Sequence, residues 1–193
     1  MSDIFIIGGP NGAGKTTAAK VLLPEELDLD LFLNADELAR RISPDNAESA
    51  SFQAGRMMLE RMRQLVREQR NFAFETTCSG RSYLRFLREC QSAGWRVSLL
   101  YLWLPSPEEC IRRVAQRVRA GGHSIPEDVV RRRYGAGSRN MRDLYLPLVD
   151  EARIYDNEEM ALRLIASKHA GGSLVVHDVS RWSRIEESND DRA

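Results

Sequence analysis

Short apolar runs alternate along the chain with longer stretches in which apolar residues recur every three or four positions. Runs rich in β-branched and aromatic residues predict strands, and the longer period predicts amphipathic helices. The first run, residues 4–7, is apolar throughout and suits a strand buried on both faces. The predicted strands cover residues 3–8, 31–34, 72–76, 96–104 and 153–156. The predicted helices cover residues 15–23, 36–42, 52–70, 83–93, 107–120, 126–134 and 140–152.

This alternation of strands and helices predicts an α/β fold, in which five mostly parallel strands form a sheet with helices on both faces. Residues 162–165 and 174–176 flank Gly171-Gly172 and predict a small hairpin after the fifth strand. Pro147 predicts a kink or break in the last helix. We expect a single domain over residues 1–185 and a polar, disordered tail over residues 186–193.

Composition excludes several classes of protein. The 193 residues carry 28 basic and 28 acidic side chains, and this neutral balance argues against a nucleic-acid partner. Three widely spaced cysteines argue against a disulfide framework and a zinc site. No apolar run approaches the roughly 18 residues that a membrane helix needs, and the first residues do not resemble a signal peptide. We therefore expect a cytoplasmic protein without membrane association.

A glycine-rich segment lies between the first predicted strand and the first predicted helix, and it fits the phosphate-loop pattern G-x-x-x-x-G-K-[ST] at every fixed position. Its glycines let backbone N–H groups turn toward phosphate oxygens, and the following helix N terminus adds partial positive charge. Lys15 is placed to reach the terminal phosphates, and the Thr16 hydroxyl to bind Mg²⁺. The predicted nucleotide-binding residues are Gly9, Pro10, Asn11, Gly12, Ala13, Gly14, Lys15, Thr16 and Thr17.

Two carboxylates follow predicted strands, at the sheet edge where open α/β folds place ligands. Asp36 could orient an acceptor hydroxyl and take its proton, or it could be only the N-cap of the next helix. Glu75 could bind Mg²⁺ through water, or it could be a solvated residue at a strand end. Arg56, near the start of a helix, is a candidate for the acceptor pocket, with simple exposure as the alternative.

Arginines are concentrated in residues 112–142, which contain nine of them against two acidic residues. Two predicted helices joined by Gly121-Gly122 carry most of these arginines and suggest a lid. Its closure would bring guanidinium groups onto a transferring phosphoryl group and exclude water. For most of these arginines the alternative, a solvated helix face, is the better interpretation. A nucleic-acid surface is a further alternative, but no set of aromatic stacking residues accompanies the arginines.

Five motifs in order resemble the zeta-toxin family of phosphate-loop kinases, over residues 4 to about 182. The phosphate loop alone is shared by many families, whereas the ordered combination is more specific. The motifs are the residues 8–17, Leu33-Asn34-Ala35-Asp36, Phe74-Glu75-Thr76-Thr77, Gly121-Gly122-His123 and Tyr155-Asp156-Asn157. The resemblance implies a core like that of nucleoside monophosphate kinases, ATP and Mg²⁺ as cofactors, and transfer to the 3′-hydroxyl of the amino sugar in UDP-N-acetylglucosamine.

The resemblance also implies roles for single residues. Lys15 and Thr16 become the residues that bind ATP and Mg²⁺, and Asp36 becomes the base on the acceptor side. Glu75 and Thr77 shape the metal and substrate region. The lid arginines are Arg117 and one of Arg132 and Arg133, and Asn157 lies near the adenine. Family members are toxins with a helical antitoxin as a protein partner, and no antitoxin-like segment is present in this sequence. Cys78 departs from the family pattern, in which an aliphatic residue is expected.

Other hypotheses stay open at this point. The chain could phosphorylate another small metabolite, a nucleoside or an antibiotic. It could instead be a nucleotide-dependent binding or switch protein with slow hydrolysis, although such a protein has no need of Asp36 or of a lid. A polynucleotide-end kinase is a fourth hypothesis, which the neutral charge disfavours.

Overall fold

The computed structural model describes residues 2–23, 31–43, 49–122, 124–159 and 161–187. In these residues one seven-stranded sheet has the order β2-β3-β1-β4-β5-β6-β7. The first five strands pair in parallel, whereas β6 pairs antiparallel with both β5 and β7. The strands are β1 (Asp3–Gly8), β2 (Phe32–Asn34), β3 (Phe72–Thr76), β4 (Arg96–Trp103), β5 (Glu151–Asp156), β6 (Arg163–Lys168) and β7 (Leu174–Val176).

Helices connect the parallel strands, as parallel pairing requires. A π-helical turn, Met141–Tyr145, lies between the last two helices that precede β5. The helices are α1 (Lys15–Leu22), α2 (Ala35–Ile42), α3 (Ser51–Arg67), α4 (Ser82–Ser92), α5 (Pro107–Arg119), α6 (Glu127–Asn140), α7 (Leu146–Leu148) and α8 (Val179–Glu187). None of the helices in the described ranges is long and apolar enough to span a bilayer.

Successive residues of the central strands β1 and β4 enter different core clusters, because neighbouring side chains of a strand point to opposite faces. Ile6 and Leu99 pack in the larger cluster with residues of α3 and α4. Ile7 and Leu100 pack with Ala19 of α1. Both faces of these strands are therefore covered by helices, which leaves the carboxyl edge of the sheet for ligands.

The structure corrects four expectations. The sheet has seven strands rather than five, because the predicted hairpin continues the sheet beyond β5. The helices predicted over residues 126–134 and 140–152 are not separate, since α6 runs through Asn140 into the π-helical turn. The helix predicted over residues 140–152 ends earlier, because Glu151 already begins β5. Residues 186 and 187 belong to α8, which anchors itself in the core through Trp182 and Ile185.

Candidate active site

The glycine-rich loop joins β1 to α1 at the carboxyl edge of the sheet and lies against β4 and α5. Gly9 has φ +142°, and a Cβ there would lie 2.4 Å from the carbonyl oxygen of Leu102. Gly12 has φ +82°, and its Cβ would lie 2.9 Å from the carbonyl oxygen of Cys110. Of the side chains described, none caps the N terminus of α1. The first N–H groups of α1 are therefore left for an anion.

Lys15 is buried at the end of this loop, and its ammonium group faces the loop itself. Its Nζ donates to the carbonyl oxygen of Pro10 at 2.9 Å and lies 3.6 Å from Oε1 of Glu75. The Thr16 hydroxyl donates to Oε2 of Glu75 at 2.8 Å. The sequence-predicted residues Lys15, Thr16 and Glu75 therefore meet at one point. Thr16 and the neighbouring Thr17 are both exposed.

Asn34 connects this point to α2, a role that the sequence analysis did not assign to it. Its Nδ2 donates to Oε2 of Glu75 at 3.1 Å. Its Oδ1 accepts from the backbone N–H groups of Asp36 and Glu37, at 2.9 and 3.2 Å. Asn34 is thus the N-cap of α2, and the alternative that Asp36 serves as this cap is wrong. The sequence signal for Asn34 was available, since asparagine is among the favoured N-cap residues.

A cavity of about 450 Å³ opens beside these residues. We call it the α2–α3 cavity, because α2 and α3 form one side of it and the loop after β3 forms another. Its lining includes Lys15 and Glu75 and, of the other predicted site residues, Asp36, Arg56, Thr77 and Arg133. Tyr83 also lines the cavity, and burial, with a smaller contribution from the Asp36 carboxylate, raises the pKa of its hydroxyl to about 12. Tyr83 is therefore a neutral group that can donate a hydrogen bond.

The structure places the three predicted lid arginines differently. Arg133, on α6, is half-buried and lines the α2–α3 cavity. Arg117, on α5, and Arg132, on α6, are exposed and are not part of the cavity lining. His123 of the predicted lid motif lies outside the described residues. A lid that closes over a ligand remains a prediction, and of its three predicted arginines Arg133 is the one that lines the cavity.

The loop after β3, residues 77–80, is held by hydrogen bonds from α6 and from the π-helical turn. Asn140 is buried, and its Nδ2 donates to the carbonyl oxygens of Cys78 and Ser79 at 2.9 and 3.0 Å. The Tyr145 hydroxyl donates to the carbonyl oxygen of Gly80 at 3.2 Å. These contacts hold Cys78 at φ +57°, a backbone conformation that is uncommon for a residue with a side chain. The helix that carries Arg133 therefore also fixes the loop that carries Thr77.

Cys78, the residue that departs from the family pattern, is fully buried. Burial raises the pKa of its thiol to about 12, against smaller opposing effects of Lys15 and of a hydrogen bond from the Gly9 backbone. The side chain is therefore a neutral thiol that packs behind the phosphate loop.

Asn157 lies at the other end of the phosphate loop, after β5. It is buried, and its side-chain Nδ2 donates to the carbonyl oxygen of Ala13 at 2.8 Å. Arg113 on α5, one of the clustered arginines to which the sequence pattern gave no individual role, donates to the carbonyl oxygen of Asn157 at 2.8 Å. The only sequence signal for Arg113 is Glu109 one helical turn earlier, with which it forms an ion pair of 2.6 Å.

Comparison with known proteins identifies related families and folds. Residues 4–143 match the AAA_33 family model, described as an AAA domain. This span runs from β1 through Arg133 to the start of the π-helical turn. An uncharacterized protein of Haemophilus influenzae is 30% identical over 126 residues, which are 65% of this chain and 88% of that protein.

Several solved structures share the fold at low sequence identity. A chain of the AvrRxo1-ORF1:AvrRxo1-ORF2 complex with sulphate ions has a TM-score of 0.74 at 16% identity over 100% of this chain. The same complex with ATP gives the same values. A chain of the PezAT toxin–antitoxin system of Streptococcus pneumoniae has a TM-score of 0.62 at 15% identity, over 100% of this chain and 79% of that one. The present chain spans 65% of the length of the two AvrRxo1-ORF1:AvrRxo1-ORF2 chains that it matches.

Proposed function

Because the chain belongs to the AAA_33 family of AAA domains, and because its motifs resemble those of the zeta-toxin family of phosphate-loop kinases, we propose that it is an ATP-dependent phosphotransferase. It moves the γ-phosphate of ATP to a hydroxyl group of a small acceptor. One observation carries the proposal: Lys15, Thr16 and Glu75 converge beside a cavity that Asp36 and Arg133 also line. A protein that only binds or hydrolyses nucleotide has no need of a carboxylate and a cation that line the same acceptor-sized space.

The phosphate loop would bind the β- and γ-phosphates through its N–H groups and the N terminus of α1. A phosphate oxygen would replace the Pro10 carbonyl and Glu75 as the partner of Lys15, whose charge stabilises the triphosphate. Asp36 would take the proton of the acceptor hydroxyl while the oxygen of that hydroxyl bonds to the γ-phosphorus. The bond from that phosphorus to the bridging oxygen breaks, and ADP leaves. Arg133 would stabilise the charge on the transferring group.

The residues around Glu75 fit Mg²⁺, the ion that phosphoryl transfer from ATP requires. The Thr16 hydroxyl and the Glu75 carboxylate are oxygen donors 2.8 Å apart, and Mg²⁺ prefers oxygen ligands and takes few of them from protein. Thr16 and Glu75 would hold the ion together with phosphate oxygens and water. When bound, the ion neutralises phosphate charge.

The first candidate for the acceptor is UDP-N-acetylglucosamine, on the strength of the resemblance to the zeta-toxin family. Arg56 and Arg133 on the cavity lining support an acceptor with anionic groups, because guanidinium groups pair well with phosphates. The rings of Phe52 and Tyr83 support an acceptor with a ring that can stack. The wider class, a kinase of another metabolite, nucleoside or antibiotic, shares the same phosphate site.

An acceptor screen tests this function. Purified protein, ATP and Mg²⁺ are incubated with UDP-N-acetylglucosamine, nucleosides, sugars, aminoglycosides and an oligonucleotide, and products are identified by mass spectrometry. We expect one acceptor to gain a phosphoryl group and to stimulate ADP release. Product from a different acceptor would exclude UDP-N-acetylglucosamine as the substrate and would still support a phosphotransferase. If no acceptor stimulates ADP release, and partner binding differs between ATP and ADP, the chain is a switch and the proposal is wrong.

Within this screen, Asp36→Asn should lower the transfer rate by about 100- to 10,000-fold, the usual contribution of a general base, and leave ATP binding nearly intact. Glu37→Gln is the matched control, because Glu37 occupies the same turn of α2 but pairs with Arg41 at 2.7 Å on the exposed face. Equal rates for wild type and Asp36→Asn would refute the role of Asp36.

We extend the proposal to a protein partner of the antitoxin kind. The resemblance supports it, as does a matching fold in a protein of the PezAT toxin–antitoxin system. Induced expression of the chain alone in a bacterium should slow growth, and the Lys15→Ala variant should not. Equal growth of cells that express the wild type and cells that express Lys15→Ala would count against a toxin with an antitoxin partner.

A further inference from the structure

The turn that follows β5 makes direct contact with the phosphate loop. We call residues 156–158 the 156–158 turn. The Asn157 side chain donates to the carbonyl oxygen of Ala13, within the loop, at 2.8 Å. A Cβ on Gly14 would lie 3.1 Å from the Nδ2 atom of Asn157, so the two segments fit closely. The backbone N–H of Asn157 donates to the carbonyl oxygen of Trp103 at 3.1 Å, which ties the turn to the end of β4.

One side of this turn is fixed by the C-terminal helix α8. Asp156 is buried, and its Oδ2 accepts from Nε of Arg181 at 2.6 Å. Its Oδ1 accepts from the backbone N–H of Glu158 at 2.8 Å, which closes the turn. Arg181 also donates from its Nη1 to Oδ2 of Asp178 at 2.6 Å, and these hydrogen bonds raise the pKa of its guanidinium group further above its ordinary value. Arg181 therefore stays charged and bridges two carboxylates.

The other side is fixed by α5. Arg113 is mostly buried, and its Nη2 donates to the carbonyl oxygens of Asn157 and Glu158. Its Nε pairs with Glu109 at 2.6 Å, which orients the guanidinium group. Thus α5 and α8, which lie far apart in the sequence, each supply one arginine to this turn. Arg113 binds its backbone, and Arg181 binds the Asp156 carboxylate.

From this geometry we propose that Asn157 is a positioning residue of the phosphate loop, and that Arg113 and Arg181 hold it in place for that role. The peptide unit between Ala13 and Gly14 is planar, so its carbonyl and N–H groups point in opposite directions. By binding the Ala13 carbonyl, Asn157 fixes the direction of the Gly14 N–H, one of the donors at the start of α1. Asn157 therefore acts on the triphosphate and not on the base of the nucleotide.

This inference rests on the proposed nucleotide binding, and inorganic tripolyphosphate separates the two. Calorimetry gives the dissociation constants of tripolyphosphate and of ATP, both with Mg²⁺, for each variant. Asn157→Ala should weaken both ligands by the same factor of about ten, and Arg181→Gln should weaken both by about threefold. Arg184→Gln, on the same helix but over the Trp103 ring, and Arg112→Gln, which shares Glu109 with Arg113, are matched controls that should leave both constants unchanged.

The outcomes are distinct. Loss of ATP affinity with unchanged tripolyphosphate affinity would assign Asn157 to the base and overturn the inference. A lower melting temperature with both constants unchanged would show a role in folding alone and would also overturn it. If Asn157→Ala does not fold, the uncharged and similarly sized Asn157→Leu, which removes the donor, is measured in its place with the same expectation. Wild-type protein that binds neither ligand would refute the proposed function itself.

Discussion

Single residues at the candidate site serve two neighbours at once, and Asn34 shows how this shapes the chemistry. Its oxygen caps α2 and its amide nitrogen contacts Glu75, so one short side chain joins the acceptor side to the phosphate side. Because Asn34 caps the helix, the carboxylate of Asp36 is not used for that purpose and lines the α2–α3 cavity. A sequence that places Asn two positions before Asp permits either residue to be the cap, and only the fold distinguishes them.

Adjacent arginines of α6 provide a test at this scale. Arg133→Ala should lower the transfer rate by at least about 100-fold, because the cation that lines the cavity then no longer stabilises the charge on the phosphoryl group. Arg132→Ala removes the same charge from an exposed position one residue away and should retain most of the activity. Single-turnover rates with saturating ATP measure both. A loss of equal size in the two variants would indicate a general effect of charge and would contradict a specific role for Arg133.

Among the elements, α6 carries Arg133 to the cavity and holds the loop after β3, and it joins the two main core clusters. Val130 and Tyr134 pack in the cluster beside α5, whereas Met141, just beyond its end, packs in the cluster that contains α3 and α4. Between them the helix passes the loop after β3, and Gly137 allows the close approach. The helix continues through Gly135 and Gly137, and of these two glycines only Gly137 lies against the loop.

Two glycines of α6 make a matched pair for stability. A Cβ at Gly137 would lie 2.4 Å from the carbonyl oxygen of Thr77, so Gly137→Ala should lower the free energy of unfolding by about 1–3 kcal/mol. At Gly135 nothing lies within 4 Å of the added carbon, and Gly135→Ala should raise the free energy of unfolding by about 0.5–1 kcal/mol. Urea denaturation followed by circular dichroism compares them. Similar changes in both variants would show that α6 does not press on the loop.

In the whole molecule, zero net charge conceals an uneven distribution. Nine arginines and two acidic residues lie between positions 112 and 142, so the rest of the neutral chain has an equal excess of acidic residues. The structure shows that several arginines pair with acids at the start of α5. Arg131 pairs with Glu108, and Arg112 and Arg113 pair with Glu109. Three of the nine arginines are thus held in ion pairs with these two acids. Arg133 is the predicted lid arginine that lines the cavity.

Because of these ion pairs, the free energy of unfolding should change with pH in the acid range. Hydrogen bonds from Arg112, and more weakly from Arg113, hold the pKa of Glu109 at about 2, below its ordinary value of 4.5. The folded state therefore keeps Glu109 charged where the unfolded chain would protonate it. Its contribution to stability is present above pH 4.5 and is lost as the pH falls toward 2.

Denaturant unfolding of wild type and Glu109→Gln, from about pH 6 down to about pH 2, measures this contribution. Wild type should be more stable than the variant above pH 4.5, and the difference should shrink toward pH 2. Glu37→Gln, which alters an exposed ion pair on α2, should differ little from wild type throughout. A difference between wild type and Glu109→Gln that stays constant with pH would contradict the assignment.

The sequence by itself determined the local features of this protein: the five parallel strands, most of the helices between them, and the glycine-rich loop followed by Lys15 and Thr16. These follow from hydrophobic period and from a contiguous motif, both of which are properties of neighbouring residues. The tertiary structure alone decided which distant groups meet: Asn34 with Glu75, Arg133 with the α2–α3 cavity, and Asn157 with Ala13. The hairpin's place in the sheet and the core position of α8 were decided in the same way. Such contacts join residues far apart in sequence, and their energy depends on burial and geometry that no local pattern specifies.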